Sequence, residues 1–129
     1  MSFFSPPEPG DIVYCRFPRN PAPKPRPALV LAVGEIEGKP HVEVAYGTSQ
    51  HTDRLHSGEF LIAPADGDAY ALSGLSYATK FDLRNRKELP YEEDWFRVPP
   101  HAPHGQTPKL GVLHPALMRR AKTAFDAAR

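Results

Sequence analysis

Pro27-Ala28-Leu29-Val30-Leu31-Ala32-Val33 and, one turn later, His41-Val42-Glu43-Val44-Ala45-Tyr46 decide the fold class of this chain. The first is a short apolar run with β-branched members between proline and glycine, the pattern of a buried strand. The second alternates, with Val42, Val44 and Tyr46 on the inward face, the period of two expected of a half-buried strand. Gly34-Glu35-Ile36-Glu37-Gly38-Lys39-Pro40 between them reads as a turn. Outward from this pair, Asp11-Ile12-Val13-Tyr14-Cys15-Arg16-Phe17 also alternates: Val13, Cys15 and Phe17 form an apolar face, and Ile12, Tyr14 and Arg16 the other. Glu59-Phe60-Leu61-Ile62, Thr79-Lys80-Phe81-Asp82-Leu83 and Lys87-Glu88-Leu89-Pro90-Tyr91 read as three further strands. In the second of these Thr79, Phe81 and Leu83 point one way, Lys80 and Asp82 the other. Residues 51–58 read as polar loop and Asp66-Gly67-Asp68 as a turn. The period changes near the C-terminus. Leu117, Met118, Ala121, Phe125 and Ala128 recur at helical spacing after Pro115, which suits a first helical position. That predicts an amphipathic helix with Arg119, Arg120 and Lys122 mainly outside.

Proline accounts for 16 of the 129 residues, more than double the usual ~5%. Proline breaks helix interiors, so a mainly helical fold is excluded. The length suits one domain over residues 1–129, and neither a repeat nor a dividing linker is present. Residues 1–8 read as a flexible arm, followed by a turn at Pro9-Gly10. Pro18, Pro21, Pro23, Pro25 and Pro27 hold residues 18–27 in a loop of limited freedom. The net charge is +1, so any nucleic-acid contact rests on a local patch rather than bulk charge. One such patch exists: residues 12–34 carry Arg16, Arg19, Lys24 and Arg26 and no acid. The single cysteine, Cys15, excludes an intrachain disulfide or a zinc ribbon and reads as a packed core thiol. The longest apolar run, Ala28 to Val33, has six residues, far fewer than the ~20 that span a bilayer. The N-terminal residues lack the basic and apolar regions of a signal peptide. The expectation is a cytoplasmic protein without membrane contact.

No glycine-rich phosphate loop, HExxH, paired CxxC or GxSxG motif is present. What remains is polar groups at strand ends. Arg26, between two prolines at the mouth of the most hydrophobic strand, suits a guanidinium held to clamp a phosphate; it equally suits a loop arginine covering the end of the sheet. Thr48 and Ser49 follow Gly47 at a strand end, where hydroxyls and N–H groups hold phosphate oxygens or simply make a turn. Lys80 and Asp82 are either a charge pair lining a groove or a solvated strand face. Of six histidines, His51 is the one nearest these groups in sequence. His101 and His104 have the i, i+3 spacing of metal ligands, but they sit in a proline loop without nearby cysteine or acid, and no metal or other cofactor is expected. Tyr14, Tyr77 and Trp95 suit base stacking or core packing, whereas Tyr46 reads as core.

In order, these segments resemble the MazF/PemK-like toxins of type II toxin–antitoxin systems. Pro9-Gly10-Asp11-Ile12-Val13, then a loop and Arg26-Pro27-Ala28-Leu29-Val30-Leu31, resembles the family's opening. Val42-Glu43-Val44-Ala45-Tyr46-Gly47-Thr48-Ser49 resembles its third landmark. Thr79-Lys80-Phe81-Asp82-Leu83, and Lys109-Leu110-Gly111-Val112-Leu113 before the terminal helix, continue the order. The resemblance covers roughly residues 8–127. It implies a mainly β fold with added helices, an SH3-like β-barrel of the MazF/PemK/CcdB-like kind with a C-terminal helix, assembled as a homodimer. It further implies a metal-independent endoribonuclease acting on single-stranded RNA and inhibited by a cognate antitoxin protein.

Carried over by position, the catalytic residues are Arg26, Thr48 and Asp82. Ser49, Lys80, Lys24, Arg19 and His51 are the substrate-binding candidates. Lys80 stands where some members carry arginine, keeping the charge and losing the bidentate fork. The proline-rich residues 18–25 and 97–108 also depart from the family pattern. In the implied reaction the 2′-OH of the RNA attacks its own phosphorus. Arg26 stabilises the phosphorane, Thr48 and Ser49 hold the phosphate, and the base is Asp82 or His51. Two other readings compete: a non-catalytic SH3-like module binding RNA or a peptide, and a gyrase-poisoning toxin of the same fold.

Overall fold

Alternation along the chain becomes a six-stranded antiparallel sheet in the computed structural model, which describes residues 5–17 and 24–128. The strands are β1 (Asp11–Arg16), β2 (Pro25–Ile36), β3 (Lys39–Thr48), β4 (Glu59–Ile62), β5 (Thr79–Pro90) and β6 (Lys109–Val112), in the spatial order β4-β5-β3-β2-β1-β6. The expected barrel is not formed: β4 and β6 are the two edges of the sheet and do not pair with each other. A short helix missed by pattern reading lies beside the β6 edge. After a 3-10 turn at Pro64–Asp66, helix α1 (Asp68–Ser73) leads away from β4 and packs its last turn on β6. A Cβ on Gly111 of β6 would collide with the carbonyl of Leu72, and one on Gly74 with the carbonyl of Leu110. Gly74 also closes α1 in the left-handed conformation, at φ 71°.

The β2–β3 hairpin is longer than its sequence suggests. The ladder runs out to Ile36↔Lys39, so the expected seven-residue turn contracts to Glu37-Gly38, both at positive φ (53° and 79°). That is the two-residue connection whose twist matches the strands. The two expected strands at 79–83 and 87–91 are one bent strand, β5. Its register against β3 jumps between Ala45↔Arg86 and Tyr46↔Asp82.

Both faces of the sheet are covered. On one, Val13, Cys15, Phe17, Val30, Val44 and Tyr46 pack with Tyr91 and Phe96, and half-buried Trp95 and Val98 complete the layer. On the other, Ile12, Leu29, Ala45, Phe60, Phe81 and Leu83 pack against α1 and the terminal helix α2 (Met118–Ala127) through Ala69, Leu117 and Ala124. Met118, expected inside, is largely exposed. Arg120 is anchored to the sheet edge: its Nη1 donates to the carbonyl of Leu61 at 2.7 Å and to Asp66 Oδ2 at 3.1 Å. That guanidinium holds the Asp66 carboxyl below its ordinary pKa. No helix among the described residues is long and apolar enough to cross a membrane.

Lys80 departs most from its expected position. Instead of lining a solvated face it is buried, with Nζ 3.1 Å from Glu59 Oε1 and 2.9 Å from the carbonyl of Arg54. Only 7% of the Lys80 side chain and 9% of Glu59 are exposed. Each ion satisfies the other, and together they pin residues 54–59 to β5.

Three outcomes test this architecture. Burial pushes the Cys15 thiol up to about 12, so a thiol reagent at pH 8 should label Cys15 only as fast as the protein unfolds. A Cβ on Gly47 would meet the carbonyl of Pro27 and the ring of Phe81, so Gly47→Ala should lower the denaturant-derived stability by about 1–3 kcal/mol. Lys80→Ala strands a buried carboxylate and should cost about 3–5 kcal/mol in the same measurement, with much of it recovered by the double variant Lys80→Met/Glu59→Leu.

Candidate functional site

The site follows from where β2 and β3 stop pairing. Their ladder ends at Ala28↔Tyr46, and Pro27 and Pro25 carry no N–H to extend it. Beyond that point β2 has only β1 beside it, with Tyr14↔Pro27, Cys15↔Arg26 and Arg16↔Pro25 in register. Such an edge position tolerates proline. β3 continues on the other side against β5, ending at Thr48↔Lys80. At the fork the backbones stay close, because Gly47 lies directly on the Pro27 carbonyl. The chain ends carrying Arg26 and Thr48-Ser49 therefore diverge from a common point.

A groove of about 490 Å³ opens between them. Arg26 and Ser49 line it from the two strands, Tyr14 from β1, and Ser76, Tyr77 and Thr79 from the segment between α1 and β5. The Thr79 hydroxyl donates to the carbonyl of Tyr77 at 2.9 Å and steadies that segment. Tyr77 is 72% exposed, an aromatic face presented to solvent at the groove's edge.

The fourth wall is the proline-rich excursion at 98–107, with Pro99, Pro100, His101 and Pro103 lining the groove. Tyr14 fastens it at both ends. The amide of Arg97 donates to the Tyr14 carbonyl at 3.1 Å, and the Tyr14 amide donates to the Pro108 carbonyl at 2.8 Å. A bridge between Cys15 and Phe96 extends the first attachment. Within the excursion the Ala102 amide closes a turn on the Pro99 carbonyl at 2.9 Å, with Pro100 and His101 at its centre. Ala102 then takes φ 41°, a conformation that residues with a Cβ seldom adopt.

The groove's charge is one-sided. Arg26 is the only lining residue with a permanent charge, no carboxylate is among the lining residues, and Arg26 has no carboxylate partner among the described residues. Arg16 and exposed Lys24 lie at the same end of the β1–β2 pair. The chemistry available is the guanidinium of half-buried Arg26, hydroxyls from Ser49 and Ser76, an imidazole, and phenol rings for stacking.

Of the expected site residues, Arg26 and Ser49 come together. Thr48 sits beside them at the end of β3, but its Oγ1 is taken up locally, accepting from the Gln50 amide at 3.1 Å. Lys80 is committed to Glu59 beneath the surface. Asp82 is not a lining residue; it lies in the register pair with Glu59 on β4, and its Oδ1 accepts from the Arg84 amide at 2.9 Å. His51 is exposed on the 49–58 loop at φ 54° and does not line the groove. Lys24 is exposed next to it, and Arg19 lies outside the described residues. Sequence reasoning missed His101 as a groove residue. Its only signal was the spacing to His104, which lines a separate hollow with Asp11, Tyr91 and Lys109.

No protein-family model matches this chain, and no curated protein matches it. Among solved structures the chain is similar to one described as an endoribonuclease from Mycobacterial species, with a TM-score of 0.58 and 17% sequence identity over 98% of this chain and 94% of that one. The likeness is one of fold, and it spans the whole mainly β sheet with its C-terminal helix.

Proposed function

We propose that this chain is an endoribonuclease that cuts single-stranded RNA without a metal, the toxin component of a type II toxin–antitoxin system. The observation that carries the reading is Arg26: a guanidinium held between two prolines, facing a groove with no lining carboxylate, with the Ser49 hydroxyl on the opposite strand end. A fold shared along nearly its full length with a protein named as an endoribonuclease supports it. In the reaction the 2′-OH of one nucleotide attacks the adjacent phosphorus and the 5′-oxygen of the next leaves. Negative charge grows on the non-bridging oxygens, and a preorganised guanidinium stabilises it more in the transition state than in the ground state. Ser49, with Thr48 beside it, holds the phosphate. Tyr14 and Tyr77 offer rings on which unpaired bases stack, which favours single strands over a duplex. Lys24 and Arg16, with Arg19 in the same segment, supply the charge that draws the backbone in. With a net charge of only +1, affinity depends on these few cations and falls steeply with salt. A cytoplasmic homodimer held in check by a cognate antitoxin completes the reading.

The test is purified protein incubated with a long single-stranded RNA in EDTA, beside Arg26→Ala. The expected result is discrete cuts bearing 2′,3′-cyclic phosphate ends, with the rate down about 10²–10³-fold in the variant, the usual cost of one oxyanion-stabilising group. Intact RNA with wild-type protein overturns the reading, and binding without cleavage leaves a binding module in its place.

A further inference from the structure

The groove holds a cation and hydroxyls, but a 2′-OH also needs a group to take its proton. We propose that His101 is that general base; the assignment rests on the endoribonuclease reading above. Among the groove-lining residues His101 is the one imidazole, a side chain whose ring nitrogen can accept a proton. The other ionisable groups lining the groove are Arg26 from β2 and the phenols of Tyr14 and Tyr77. Residues 1–4, 18–23 and 129, outside the description, contain no aspartate, glutamate or histidine to compete for the role. The two carry-over candidates, Asp82 and His51, are both absent from the lining.

The excursion fixes the backbone that carries this imidazole. His101 follows two prolines, Pro99 is buried, the turn is closed by the Ala102 amide, and Ala102 itself is held at positive φ. Strained backbone of this kind persists where the surroundings over-determine it, and it clusters at sites of chemistry. Both ends of the excursion are tied to Tyr14, a wall of the same groove, so the imidazole and the guanidinium share one frame. His101 is exposed and makes no hydrogen bond within the described protein, which leaves its ring nitrogens available to substrate.

The step balances without a further reactant. An imidazole nitrogen takes the 2′-OH proton, and the freed O2′ pair closes on phosphorus. The P–O5′ bond breaks, and O5′ leaves with its electron pair and is protonated by water. The products are a 2′,3′-cyclic phosphate and a 5′-hydroxyl, and the imidazolium returns its proton to solvent.

The experiment compares wild type, His101→Gln, His101→Asn and Arg26→Ala on one short RNA containing a mapped cut site, across pH 5 to 9. A matched RNA carries sulfur in place of the bridging 5′-oxygen, a leaving group that needs no proton. If His101 is the base, both His101 variants lose about 10²–10⁴-fold, the span of general-base contributions. They also lose the fall in rate at acid pH, and they keep their deficit on the sulfur substrate. Their melting curves should overlay wild type, since the ring is exposed. His101 variants within about threefold of wild type with an unchanged pH profile, beside an inactive Arg26→Ala, overturn the assignment and leave the endoribonuclease reading standing. Full recovery on the sulfur substrate makes His101 the acid and also overturns it. No cutting by wild type at any pH removes the reading itself and the inference with it.

Discussion

Everything about the groove depends on one close approach, that of Gly47 to the carbonyl of Pro27. Two strands that part usually leave a gap that side chains fill. Here the missing Cβ lets the backbones touch at the last point before they separate. The prolines on either side of Arg26 end the ladder, and the glycine makes it end tightly. A looser fork would set Arg26 and Ser49 at a variable distance. The function proposed here, charge stabilisation by a preorganised guanidinium, would not tolerate that, because reorientation at the moment of reaction consumes the benefit.

Much of the sheet was legible because period-two patterning is a direct image of a two-faced strand. Val42, Val44 and Tyr46, and Val13, Cys15 and Phe17, lie in one core layer as their spacing requires. The open edge between β4 and β6 was not legible. Nor was α1, which lies beside β6; its six residues span less than two helical turns and so show no helical period to read. The second core layer was equally hidden. Ile12, Leu29 and Ala45 alternate against the first layer, and a chain pattern alone cannot say that helices cover them.

The site was half legible. Arg26 and Ser49 stand out by their neighbours in sequence, two prolines and a strand-ending glycine. Lys80 was misread because alternation assigns a charged residue to solvent. The pattern does not register an ion of opposite sign, such as Glu59, arriving from β4 to make burial tolerable. His101 was invisible for a different reason. It lies 75 residues from Arg26 in the chain, and only the attachment of the excursion to β1 brings the two to one groove.

That attachment also separates the exposed stretch of the groove wall from the sheet. Because the amide and carbonyl of a single residue, Tyr14, receive the two ends of the excursion, its base is closed whatever lies between. Val98 and Pro99 pack against the sheet, so its core depends on the base of the excursion and not on its exposed stretch. Doubling the length of such a closed loop costs only about 0.6 kcal/mol of closure entropy. The wall is thus anchored at its base and adjustable only in the exposed residues 103–106, beyond the Pro99–Ala102 turn that carries His101.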